Sequence, residues 1–382
     1  MNNRSEKMRN LLVPVIAVVF GFILGAIIMW ASGYDAIEGY SQMLRTTFLN
    51  PQTGALNPKS IGEIFVTAGP LIFTGLGFAV ANSAGFFNIG LSGQALCGWV
   101  ASVWVALSMP DMPKIVVVPV AVIVGALAGA LAAAIPGILR AFFGTSEVIV
   151  TIMMNYILLY MSTHIVNNVM ADGIMSNKGV TKIVGANGSL RTTWMTELTN
   201  GSRLNLGIIL ALIALVVVWF LMKKTTLGFE IRSVGLNPFA SEYAGMSSKR
   251  TIIISMMISG TLAGLGGVVQ GLGTFQNFFV QGSSLSIGFD GMAVSLLGSG
   301  SSIGILLAAL LFSILKLGGQ GMQFAGIPVE LVDVVIAAII FFVGISYVIR
   351  LLLSKFPSKK NEVHAATLVN EEPQRQPKGG TR

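Results

Sequence analysis

The chain has 382 residues, 53% hydrophobic and only 10% charged, against about 25% charged in a soluble domain. With a mean hydropathy of +0.78, this composition excludes a soluble enzyme, a disordered chain and a collagen-like fibre; the solvent of most of the polypeptide is lipid. One cysteine, Cys97, excludes a disulfide framework and a Cys-built zinc site, and two histidines, His164 and His364, are too few for a His-built metal centre, so no cofactor is expected.

From the N-terminus, runs free of Asp, Glu, Lys and Arg cover residues 10–34, 64–110, 115–139, 148–171, 204–222, 251–289, 291–315, 317–329 and 334–349. At about 20 residues per crossing, 64–110 holds two spans and 251–289 one span plus a re-entrant piece. The expected fold is therefore all-α: a polytopic transmembrane bundle of about ten helices, some broken or re-entrant. Arg4, Lys7 and Arg9 ahead of the first run would suit a signal peptide. The apolar stretch exceeds the roughly 7–15 residues of a signal-peptide core, so a retained first helix is expected. The polar stretch 351–382, with Pro373 and Pro377, reads as a disordered tail.

The net charge of +8 lies in short loops and at the two ends, which argues against nucleic acid as a partner. If both ends are cytoplasmic, that side carries Arg4, Lys7, Arg9, Arg140, Lys223, Lys224, Arg232, Lys249, Arg250 and the tail from Arg350. The other side holds Lys114, Lys178, Lys182, Arg191, Arg203 and Lys316 among a smaller share, and the bias favours N-in, C-in.

Two apolar stretches are interrupted by Gly and Asn: Asn82 to Gln94, and Gly271 to Phe278 running on to Phe289, Asp290 and Gly291. Backbone freed from a helix in lipid must be buried in protein or line a watery cavity, so both are candidate walls of a solute path; tight packing through small residues is the alternative. Charged groups at membrane depth are functional candidates. Glu147, Asp290, Glu330 and Asp333 also fit the first turn of a helix, where a carboxylate meets the positive dipole end, with Thr145 or Ser146 as cap for Glu147. Lys316 would snorkel to the interface. Asn155 and Tyr156 could read a solute or bond a neighbouring helix.

Residues 223–250 form the longest charged internal segment assigned to the cytoplasm. Asn237 can N-cap a short helix starting at Pro238 and reaching Tyr243, with Gly245 as its C-terminal stop. Such a helix offers a rigid surface to a soluble partner, unless the segment is a plain connection.

Four motifs then recur in order: Phe87 to Gln94 (FNIGLSGQ), Thr145 to Tyr156 (TSEVIVTIMMNY), Thr226 to Pro238 (TLGFEIRSVGLNP) and Gly288 to Gly298 (GFDGMAVSLLG). Over roughly residues 60–350 the chain resembles the permease subunits of bacterial ABC importers of the branched-chain amino acid and simple-sugar (ribose-type) family, and most closely the nucleoside-importing subgroup. Hydropathy and charge give a cytoplasmic N-terminus over 1–10, a transmembrane domain over 11–350 and a cytoplasmic tail over 351–382; the resemblance implies that this domain is a permease in the bacterial cell membrane, with 223–250 as its coupling loop. It implies a second, homologous permease (a heterodimer), a cytoplasmic ABC ATPase and an extracytoplasmic solute-binding lipoprotein. Gly228, Glu230, Arg232, Gly235, Asn237, Pro238 and Gly245 would couple to the ATPase. By side-chain chemistry, with aromatic and amide groups suited to stack on a base and bond a ribose, Asn82, Phe86, Asn88, Gln94, Asn155, Phe289 and Asp290 are the expected walls of the path. The chain has no G-x-x-x-x-G-K-[ST] phosphate loop, so ATP hydrolysis is assigned to another subunit. The competing expectations are an ion-gradient-driven secondary transporter and a membrane-embedded enzyme; the latter lacks a cluster of catalytic residue types.

Overall fold

The computed structural model describes residues 3–50, 53–328 and 330–345. The tail expected over 351–382 lies outside them. Among the described residues the chain is mostly helical: α1 (Asn3–Ala31), α2 (Ala36–Phe48), α3 (Pro58–Ser83), α4 (Leu91–Ser108), α5 (Lys114–Phe143), α6 (Glu147–His164), α7 (Thr193–Leu198), α8 (Gly207–Lys224), α9 (Thr226–Leu236), α10 (Pro238–Tyr243), α11 (Ser248–Val268), α12 (Ser286–Leu297), α13 (Ser302–Met322) and α14 (Glu330–Gly344). A π-turn extends α6 over Ile165–Val169 and another extends α11 over Val269–Phe275. A two-stranded antiparallel hairpin, β1 (Met175–Asn177) and β2 (Val180–Thr181), stands in the long connection before α8.

Eight of these helices are long and apolar enough to cross a membrane. With the shorter apolar α12 and α14 they make the bundle of about ten helices. The chain is a multi-pass membrane protein.

α3 is the axis. It is buried from Gly62 to Ala81 on nearly every side and packs against α8, α11, α12 and α13. Beside it α4, α5 and α11 meet along a seam of Gly98, Gly125, Gly129, Gly260, Gly264 and Gly267, where backbone lies against backbone and the Val268 and Ala133 side chains close on Gly125 and Gly260. α1 lies on α14, with Gly21 against Ile339 and Gly25 against Val335.

Local chemistry sets the helix starts. Asp35 accepts from the Ile37 and Glu38 N–H groups at α2, and Asn57 from the Ser60 N–H at α3. α2 was not expected as a separate element; Met43 and Thr47 seat it against Gly318 of α13. Glu147 does sit in the first turn of α6, and Ser146 stands at its N-cap position, but without a side-chain capping hydrogen bond. The Glu147 carboxylate pairs instead with Arg140 at 3.4 Å, across the α5–α6 turn. Glu330 and Asp333 occupy the first turn of α14 as expected.

Hydropathy breaks at Asp290 and Lys316 misplaced two boundaries. Both residues lie inside helices: α12 ends and α13 begins at the turn 298–301. Lys316 does not snorkel: its Nζ meets Asp290 Oδ2 at 2.5 Å, and each charge makes the other tolerable inside the bundle.

The connections sort onto two faces. On one, Gly235 touches the backbone of Ser83 and Ala84, and Lys249 lies over the Phe142 ring at 5.3 Å. The α3–α4 break, the α5–α6 turn and α9–α10 therefore share that face. On the other, Asn187 donates to the carbonyls of Met109, Pro110 and Met112, and Lys114 Nζ donates to the Arg191 carbonyl at 2.7 Å. Arg203 forks onto Glu63 and binds the 199–205 stretch to the start of α3.

Candidate functional site

The break between α3 and α4 is built by amide side chains. Gly85 turns the chain at a φ of +75° after α3 ends, and the backbone from Ala84 to Gly90 is not helical. Its polar groups need partners. Asn88 is fully buried: its Nδ2 donates to Ser259 Oγ of α11 (2.9 Å) and to Gln94 Oε1 (3.0 Å), and its Oδ1 accepts from the Gly90 N–H (2.9 Å). Asn155 of α6 reaches across: Oδ1 accepts from the Gly93 N–H (2.8 Å) and Nδ2 donates to the Ile89 carbonyl (3.0 Å). Thr151 Oγ1 accepts from the Ile89 N–H one turn earlier.

The structure thus gathers Asn88, Gln94 and Asn155 into one buried polar cluster, bonded to backbone and to one another. Tyr156, next in sequence, points away and is exposed. Phe86 is buried among Ala81, Ala133 and Met256. Replacing Asn155 by alanine leaves the Gly93 N–H and the Ile89 carbonyl without their partner. The expected cost is about 1–3 kcal/mol, read as a lower thermal midpoint of the purified protein, with import reduced alongside it.

Asn82 stands apart from that cluster. It is exposed on a cavity of about 550 Å³ at the same face as α9, lined also by Ser83, Lys223, Arg232, Ser295 and Ser299. One guanidinium nitrogen of Arg232 is buried there with no hydrogen-bond partner among the described residues. A residue expected in the path and one expected in the coupling segment therefore meet at one cavity. Phe289 is half exposed, and Asp290 is held by Lys316.

The 223–250 segment takes the expected form and adds a helix. Thr225 turns α8 into α9: its Oγ1 accepts from the Gly228 N–H (3.1 Å) and donates to the Leu221 carbonyl (2.6 Å). A Cβ at Gly228 would stand 2.1 Å from that carbonyl oxygen, so only glycine fits the corner. Glu230 and Arg232 lie half-buried on α9. A Cβ at Gly235 would stand 2.1 Å from the Ser83 carbonyl oxygen, which is how α9 rests directly on the α3–α4 break. Asn237 Oδ1 accepts from the Ala240 N–H (3.0 Å), Pro238 opens α10, and Gly245 ends it at a φ of +85°. Ser248 Oγ ties the Pro238 carbonyl back to α11. This rigid corner exposes Phe229, Leu236, Phe239 and Tyr243, the last two at 76% and 96%.

A second chamber, of about 280 Å³, lies toward the opposite face between Trp99, the π-turn after α11 and the start of α12. Of its lining residues, Phe275 lies in the Gly271–Phe278 break expected as a path wall and Phe279 and Ser284 in its continuation, while Gln270 precedes it; the π-turn that aims Gln270 and Phe275 has no sequence signature.

The chain matches the family model of the branched-chain amino acid transport system permease component over residues 60–344. It is 55% identical to the nucleoside ABC transporter permease protein NupB of Lactococcus lactis, covering 93% of this chain and 95% of that one. It is 45% identical to the guanosine ABC transporter permease protein NupP of Bacillus subtilis, covering 93% and 99%. A second Lactococcus protein, the nucleoside ABC transporter permease protein NupC, is 24% identical over 70% of this chain and 85% of its own. No solved structure matches. On the family match and these long alignments, the chain belongs to the branched-chain amino acid transport system permease family.

Proposed function

We propose that this chain is the permease subunit of an ATP-driven ABC importer and forms part of the path of a nucleoside by alternating access. The exposed, doubly anchored corner α9–α10 carries the mechanism: apolar side chains held out rigidly on one face of a membrane bundle call for a soluble partner. The solute class rests on the printed names of the two long relatives. The existence of two unequal permeases in Lactococcus supports pairing with a second, homologous permease. An ATPase on α10 and a solute-binding lipoprotein on the opposite face complete the reading.

With both ends in the cytoplasm, α9 and α10 face the ATPase. Closure of the cassettes pushes α10, and α9 transmits the movement through Gly235 to the α3–α4 break. That break is where α3 can tilt against α4 without tearing helical hydrogen bonds. Asn88, Gln94 and Asn155 set the shape of the path by holding its backbone; Phe86 packs behind them, and Asn82, Phe289 and Asp290 form its walls.

Tyr243→Cys in a Cys97→Ala background tests the sidedness, and labelled guanosine uptake in a strain deleted for the chain tests the activity. The expected result is labelling by an impermeant maleimide only from the cytoplasmic side, with uptake that survives an ionophore and fails when the ATPase gene is deleted. Labelling from outside, or uptake that collapses with the ion gradient alone, refutes the reading.

A further inference from the structure

The chamber near α12 has features that packing does not use. The π-turn Val269–Phe275 swings Gln270 and Phe275 off the regular helix, and Gln276 ends it in the left-handed region at a φ of +61° without being glycine. π-turns concentrate at functional sites, and a non-glycine residue held in that region stores backbone strain. The opposite-face loop keeps it there. The Leu190 N–H donates to the Leu272 carbonyl (3.0 Å), and Arg191 donates to the carbonyls of Gly273 and Thr274.

Inside, Trp99 and Phe275 stack with ring centroids 5.2 Å apart and 12° between planes. Phe279 stands edge-on to both. Phe275 is 38% exposed and carries the open surface of that stack. In the same chamber, Gln270 Oε1 and Ser284 Oγ are buried with no hydrogen-bond partner among the described residues. α12 begins at the chamber with no side-chain cap, so its first-turn N–H groups are available as donors. Ser92 Oγ and Thr74 Oγ1 fix that end by donating to the carbonyls of Leu285 (2.7 Å) and Ile287 (2.9 Å). Water could satisfy the polar atoms, but an aromatic stack offers water nothing. A flat ring bearing hydroxyls uses both walls.

We propose that this chamber is a transit site for the solute, with a heteroaromatic ring laid on Phe275 and ring-borne or sugar hydroxyls taken by Gln270, Ser284 and the free N–H groups of α12. The volume of about 280 Å³ falls just below the range of ligand sites, roughly 300 to 1,000 Å³. It fits a passing solute held briefly, handed over by a receptor. The proposal rests on the nucleoside reading for the identity of the ring.

The test is import by the full complex in cells deleted for the native one, with labelled guanosine, uridine, ribose and leucine. Gln270→Leu and Phe275→Ala are expected to cut guanosine import at saturation ten-fold or more, while receptor affinity and receptor-stimulated ATP hydrolysis stay at wild-type values. Phe275→Ala should also lower the guanosine-to-uridine import ratio at least three-fold, because stacking grows with ring area, and Phe275→Tyr should restore it. Ser284→Ala, which removes one oxygen, reports if the larger changes reduce the amount of protein; about a three-fold loss is expected. Wild-type import and ratio in these variants overturn the proposal. If the wild-type complex carries ribose or leucine and no nucleoside, the nucleoside reading fails by itself. The same variants then judge the chamber against the carried solute: slower import upholds it as a transit site, and unchanged import overturns it.

Discussion

Replacing Gly267 by alanine is expected to empty the membrane of folded protein. A Cβ built there stands 1.8 Å from the Ala95 carbonyl oxygen and 2.9 Å from the Trp99 nitrogen, both backbone atoms of α4. Intrinsic helix propensity favours the change by about 1 kcal/mol. Overpacking in a fitted core costs about 1–3 kcal/mol and more where no side chain can yield, so the clash wins. The whole of α11 must withdraw from α4, and the seam leaves no slack: Gly264 already lies against Gly98 and Gly129, and Gly129 against Gly260. A net loss of about 3 kcal/mol lowers the folded-to-unfolded ratio roughly a hundred-fold. Membrane abundance by immunoblot and melting of the purified protein measure it. Gly173→Ala is the control, since its Cβ meets nothing within 4 Å; a shift within about 0.5 kcal/mol is expected there. Equal abundance of the two variants would mean that the seam is not what holds α4, α5 and α11.

That seam marks a boundary of what the sequence makes legible. The apolar runs gave the crossing helices because hydropathy is local and lipid allows few alternatives. α10 was legible for the same reason: Asn237, Pro238 and Gly245 carry its cap, start and stop within nine residues. The glycines were visible too, but not which glycine meets which. Asn88 finds Ser259, and Asn155 finds the Ile89 carbonyl, across long stretches of chain. The sequence left these amides open between lining a path and bonding a neighbour; their hydrogen bonds show the neighbours, and their part in the path stays a proposal. The chamber was hidden further, because the bonds from Leu190 and Arg191 that hold its π-turn come from a connection that reads only as a charged loop.

The second large effect comes from the charges that misled the hydropathy reading. Splitting the chain at Asp290 and at Lys316 assumes that each charge seeks water. In the structure they seek each other, with side chains 13% and 27% exposed. Lys316→Met is therefore expected to be severe, because it strands a carboxylate inside the bundle at a cost of about 3–5 kcal/mol. Asp290→Leu strands the ammonium group and should cost somewhat less, since the longer and more exposed lysine can reach outward. The double variant Asp290→Leu, Lys316→Met removes both charges, and replacing a whole buried pair by apolar groups is near neutral. Its abundance and melting should return close to wild type, and this recovery separates an ion pair from two independent sites. Import then separates fold from function. Asp290 lies one helical turn below Ser286, on the face of α12 that lines the chamber, so it stands beneath the proposed transit site. The double variant is expected to import below a tenth of the wild-type rate while receptor-stimulated ATP hydrolysis continues. Wild-type import by a stable double variant would leave the pair a role in holding α12 to α13 and none in the path.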